Sequence, residues 1–134
     1  MTQSSRQVEF LNSPGHARLG LPFAEAVRVG NTVYLSGQLG NVPGKLELAS
    51  GGIRAEARQT MDNIRTTLAA HGLTMDHIVK CTVMLADMAE WGAFNEIYRS
   101  YFTGHLPARS AFGCSGLALG GRLEVECMAV VSLD

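Results

Sequence analysis

Two periods of hydrophobic and polar residues run along the chain, and the points where one gives way to the other divide it into eight elements. Residues 7–11 form a short β-patterned run that stops at the turn signal Asn12-Ser13-Pro14-Gly15, and residues 20–23 are an irregular lead-in. Residues 24–29 and 32–36 are two strands joined by Gly30-Asn31, a hairpin signal, so they should pair antiparallel. The glycine-rich stretch that follows, as far as Gly52, is a loop. Residues 53–71 then switch to a helical period, with Ala57, Met61, Ile64 and Leu68 on one stripe, Arg54, Glu56, Arg58 and Asp62 on the other side, and Gly72 as the stop. Residues 77–86 alternate again, with Val79, Cys81, Val83 and Leu85 inward and Lys80, Thr82 and Met84 outward. Asp87 can cap a second helix, residues 88–102, whose stripe of Trp91, Phe94, Tyr98 and Tyr101 reads mainly as core. Residues 108–112 and 122–132 complete the pattern as strands, separated by a loop.

The order β-β-β-α-β-α-β-β predicts an α+β or α/β sandwich, with both helices on one face of a mixed sheet. The other face would carry Glu124, Glu126, Thr82 and Lys80 beside Met84, Met128 and Val130. That is too apolar for a solvated face and too charged for a core, and it suggests an oligomer surface holding a polar pocket. With 134 residues, one domain spanning residues 1–134 is expected, large enough to fold without disulfide or metal. A net charge of −1 argues against a nucleic-acid partner, which usually draws a basic excess. No apolar run is long enough to span a membrane and the N-terminus has no apolar signal region, so a cytoplasmic location is the expectation.

Candidate chemistry concentrates between Leu106 and Val131. Arg109 follows a rigid Pro107-Ala108 step, and its planar, permanently charged fork suits a carboxylate. Glu124 and Glu126 stand two apart on a strand, so they share a face at roughly 6.5–7 Å. One could act on water while the other pairs, for example with Arg122. Pattern alone leaves both sets open to ordinary surface ion pairing. Cys81 and Cys127 read as small core residues, whereas Cys114, in a Gly/Ser-rich segment, is a candidate accessible thiol. The four histidines have no ligand spacing, and no nucleophile elbow, P-loop or dinucleotide fingerprint occurs, so no metal or nucleotide is expected.

Four motifs stand in order: 26–38 (AVRVGNTVYLSGQ), 94–98 (FNEIY), 107–110 (PARS) and 123–129 (LEVECMA). By these the chain resembles the Rid family, also known as YjgF or L-PSP proteins, over about residues 20–131. The resemblance implies a chorismate-mutase-like fold assembled as a homotrimer, with the sheets around a central barrel and clefts between subunits. It also implies hydrolysis of reactive 2-imino or enamine acids (2-aminoacrylate or 2-iminobutanoate) to 2-oxo acids and ammonia, without cofactor or metal. By the same resemblance Arg109 would pair with the substrate carboxylate and Glu124 would hold the attacking water. Phe23, Ser36, Gly37, Asn95 and Ala111 would line the substrate pocket, with Glu126 and Cys114 as possible supporting groups. Departures from the family pattern fall at Phe23, where a tyrosine is usual, at Ala24-Glu25 in place of Ser-Gln, at Ala111 in place of cysteine, and along residues 112–121. Alternatives are a carboxylate-binding or regulatory module without turnover, a pathway-specific deaminase of aminomuconate-like compounds, and a weak endoribonuclease.

Overall fold

In the computed structural model, which describes residues 7–131, the chain folds as an α+β domain. Strands β1 (Val8–Leu11), β2 (Ala26–Val29), β3 (Thr32–Gln38), β4 (Ile78–Leu85), β5 (Ala108–Gly113) and β6 (Leu123–Val130) form one sheet in the order β1-β2-β3-β6-β4-β5. Only β4 and β5 pair in parallel. Three helices accompany the sheet: α1 (Pro14–Leu19), α2 (Gly52–Ala70) and α3 (Trp91–Arg99). Helices α2 and α3 serve as the crossovers from β3 to β4 and from β4 to β5. A crossover between parallel strands keeps one hand, so two of them lay both helices on the same face. The mixed sheet and its helix layer match the predicted architecture.

The core lies between that helix layer and the sheet. Ala57, Met61, Ile64 and Leu68 of α2 are buried against Val83, Leu85, Leu123, Val125 and Phe94, as the helical stripe predicts. Along β6, Leu123, Val125, Cys127 and Ala129 are buried and Glu124, Glu126, Met128 and Val130 are not, so the alternation read in the sequence holds. On β4 it is offset. Ile78 pairs with Ala129 and Lys80 with Met128, which leaves one extra residue on β4. This bulge turns Ile78 into the core in place of the expected Val79. A second irregularity interrupts β3, where Leu35 pairs with Cys127 but Gln38 with Val125. The strand therefore continues past Ser36, where the pattern had closed it, with a bulge at Ser36-Gly37.

Other differences have local causes. The segment 14–19, which begins in the predicted turn and ends before the predicted lead-in, is helix α1. Proline suits a helix start because its missing N–H would be unpaired there anyway, and Gly20 at φ 63° closes the far end. The second predicted helix is shorter than 88–102: a 3-10 turn at Met88–Glu90 leads into α3, and the Asp87 carboxylate accepts from Ala89 N, the capping expected of it. Of its stripe, Phe94 and Tyr98 are buried whereas Trp91 is exposed. Glu56, placed on the polar side of α2, is buried because it accepts from Arg122 N at 3.0 Å. The predicted end of the last strand, Ser132, lies outside the described residues.

The Ala24-Glu25 departure has a structural role. The Glu25 side chain is only 9% exposed and lies 3.0 Å from His71 Nε2 at the end of α2. It accepts from Ser13 N at 3.0 Å and Ser13 Oγ at 3.1 Å, at the start of α1, and its own N–H donates to Asn12 Oδ1. One carboxylate thus ties α1, β2 and α2 together. Breaking a buried pair strands the remaining partner, so Glu25→Ala should lower the unfolding free energy by about 3 kcal/mol in a urea titration. A loss below about 0.5 kcal/mol would show that this cluster does not hold α1 in place.

Candidate active site in two halves

Strand pleat decides which way each candidate points. Glu124 lies between Leu123 and Val125, both fully buried, so its carboxylate must leave the sheet on the side away from the helices. Arg109 is in register with Cys81, a core residue of β4, and therefore points toward the helix layer. Its β5 is separated from β6 by β4, and the two residues are three positions apart along the strands. Their Cα atoms are accordingly some ~14 Å apart, on opposite faces. Within one chain they do not face a common site.

Glu124 is on the wall of a cavity of about 290 Å³ at the end of β3, together with Phe23, Ser36 and Gly37. The bulge at Ser36-Gly37 brings the backbone against the Glu124 carboxylate, and a Cβ added at Gly37 would overlap Glu124 Oε2. Ser36 is held by its own bonds: Oγ donates to Ala24 O at 2.6 Å and N to Glu25 O at 3.0 Å. His16 of α1 reaches Phe23 O at 2.8 Å, which fixes the Phe23 segment over the cavity. Burial pushes the Glu124 pKa up, and the Glu126 carboxylate adds to this by like-charge repulsion. That tunes a carboxylate toward taking and returning a proton. Glu126 itself is exposed and faces a separate hollow with Lys80 and Thr82.

Arg109 lines a second cavity of about 250 Å³, with Asn95, Tyr98, Trp91 and Pro107. Its guanidinium carbon is 4.8 Å from the Tyr98 ring centre, 5.8 Å from Phe94 and 5.9 Å from Trp91. Ring faces attract a cation without consuming its N–H donors, so the fork is oriented and still able to bind. Among the described residues it has no carboxylate partner. Nearby, Asn95 Oδ1 is buried and also unpaired. Ala111, two residues along β5, shares the face of Arg109.

Of the seven proposed pocket residues, Phe23, Ser36, Gly37 and Glu124 line one cavity and Asn95 and Arg109 the other. Ala111 lines neither and packs against the core. Cys114 lines neither cavity, and its Sγ is 3.5 Å from Leu85 O. Arg122 does not pair with Glu124 or Glu126 as expected; it binds Glu90 at 2.9 and 3.1 Å. The sequence reading missed the aromatic seat of Arg109, although the 91/94/98 spacing was visible and had been read as core. It also missed α1, whose brevity leaves no helical period to detect.

A family model described as Endoribonuclease L-PSP matches residues 16–131. The chain is 45% identical over 109 residues to a protein of Mus musculus named 2-iminobutanoate/2-iminopropanoate deaminase, covering 81% of each. Among solved structures it is similar to RidA from an Antarctic Psychrobacter, at 36% identity and TM-score 0.78, covering 82% of this chain and 89% of that one. It is also similar to yeast Mmf1, at 37% identity and TM-score 0.79, covering 83% and 88%.

If Glu126 raises the pKa of Glu124, Glu126→Gln removes the like charge and lowers it. The acid limb of the kcat/KM–pH profile should then move to lower pH, because the base stays ionised further down. An unmoved limb would show that Glu124 does not set it.

Proposed function

The chain belongs to the Rid (YjgF, or L-PSP) family, and from that premise we propose that it hydrolyses 2-imino acids, and the enamines that tautomerise to them, at a site assembled between two copies of itself. The observation that carries this is the pair of incomplete halves. An oriented guanidinium with no carboxylate partner among the described residues lies on one face, and a carboxylate whose pKa burial raises lies beside a cavity on the other. Relatives named as 2-iminobutanoate/2-iminopropanoate deaminases support the chemistry.

In this reading the substrate carboxylate takes the Arg109 fork of one copy in two parallel charged hydrogen bonds. The imine carbon then lies against Glu124 of the next copy, beside Ser36 and Gly37. Glu124 accepts a proton from water as the oxygen bonds to the imine carbon, and passes it to nitrogen. Glu124 then carries the hydroxyl proton of the resulting carbinolamine to its nitrogen as the C–N bond breaks, which releases ammonia and leaves the 2-oxo acid. Imines hydrolyse readily, so orientation and one proton relay suffice. We further propose that the copies form a homotrimer, as the resemblance to the Rid family implies, since a head-to-tail contact closes into a three-membered ring when it rotates each copy by a third of a turn.

The test is the rate at which purified protein consumes 2-aminoacrylate or 2-iminobutanoate released by a threonine or serine dehydratase. Arg109→Ala should cut kcat/KM about a hundredfold or more, since two charged hydrogen bonds are lost, and Arg109→Lys should not restore it. Equal rates for wild type and Arg109→Ala would overturn the proposal.

A further inference from the structure

The Glu124 cavity is much larger than its reactive wall requires, and the surplus is apolar. Beyond Ser36, Gly37 and Glu124 its wall is mainly Leu19, Leu21, Phe23, Leu39, Leu46 and Leu119, with His16, Glu25, Gln38 and Asn41 as the further polar lining. Three of these, Phe23, Leu46 and Leu119, are large side chains about half exposed, all turned to the same hollow. Liquid water occupies about 30 Å³ per molecule, so a substrate carrying only a methyl or ethyl group would leave most of the 290 Å³ as water against leucines.

Leu119 adds an independent observation. Its backbone is left-handed, at φ 60° and ψ 12°, and among the described residues no other non-glycine has positive φ. Bulky side chains seldom hold that conformation, which persists where the surroundings impose it and is concentrated at ligand-binding sites. Here the turn is closed by Gly120 N to Leu117 O at 3.1 Å and Gly121 N to Ala118 O at 3.0 Å. Gly121 packs so near Leu39 that a Cβ there would be 3.2 Å from Leu39 Cδ2. The turn therefore docks on the cavity wall and presents Leu119 to the cavity. The residues responsible come from helix α1 and the segment after it, from the loop after β3 and from the 113–121 loop, the last of which departs from the family pattern.

We infer that this apolar chamber binds the side chain of the substrate, and that the preferred substrates are 2-imino acids with branched aliphatic or aromatic side chains of four or more carbons. The inference rests on the deaminase reading, which places the reacting carbon at Glu124 and the substrate carboxylate on the neighbouring copy. The remaining substituent on that carbon then extends from the polar wall toward Leu119. Each additional buried methylene favours the larger substrate in the transition state as well as in the complex, so the preference is read in kcat/KM.

The experiment supplies imines from alanine, leucine and phenylalanine with an L-amino-acid oxidase and follows their loss with semicarbazide as competing trap. The leucine- and phenylalanine-derived imines should be hydrolysed with kcat/KM about tenfold or more above the alanine-derived one. Leu119→Gly keeps a backbone that glycine adopts freely while removing the side chain, and should reduce that ratio about threefold or more. If the alanine-derived imine is hydrolysed as well as the others, the chamber inference falls and the deaminase reading stands. If none is hydrolysed, the deaminase reading falls, and calorimetry with 2-oxo acids decides the chamber. Tighter binding of 4-methyl-2-oxopentanoate than of pyruvate supports it, and equal binding overturns it.

Discussion

The alternation of a β-strand fixes everything else about this molecule's candidate site. Leu123, Val125, Cys127 and Ala129 must face the helices to build a core, so Glu124 cannot. Arg109 is held on the helix side by the register of β5 and by three aromatic rings of α3. A one-residue slip in either strand would move these groups to the other face, but it would also expose the core, so the fold does not allow it. The separation of the cation from the carboxylate is therefore a property of the architecture, independent of any loop conformation.

That constraint explains why each half is incomplete by itself. A guanidinium seated on aromatic faces usually finds a carboxylate, and here none is present among the described residues. A carboxylate whose pKa is raised by burial usually gains a donor, yet Glu124 instead meets a glycine backbone, a second carboxylate and an apolar hollow. The two deficits are complementary. The proposed contact between copies answers both at once.

Much of this was legible in the sequence, because periodicity reports burial directly. The stripe 57/61/64/68 and the alternation of 123–130 located the core and put Glu124 opposite it. The facing of Arg109 was not legible, since it depends on β5 pairing beside β4, a non-local choice that composition does not encode. The bulge at Ser36-Gly37 and the offset at Ile78 were hidden for the same reason: an extra residue shows only once the partner strand is known. Short α1 has too few residues for a period, and nothing in the 24–29 strand pattern marked Glu25 as buried, since its partners His71 and Ser13 come from other elements. Glu56 was misplaced likewise, because its burial is offset by a backbone N–H 66 residues away. The motifs gave the family, which the match over residues 16–131 supports, and three of the departures from them, Phe23, Glu25 and the 112–121 segment, lie on the chamber wall.

The measurement that bears most directly on the two-copy site is complementation between inactive chains. Arg109→Ala and Glu124→Gln chains carrying different tags would be produced together and the mixed oligomers purified through both tags. If each site takes its arginine from one copy and its carboxylate from the next, every mixed trimer regains one of its three sites, and imine hydrolysis returns to about a third of the wild-type rate. Mixed oligomers no more active than either single variant would contradict the account.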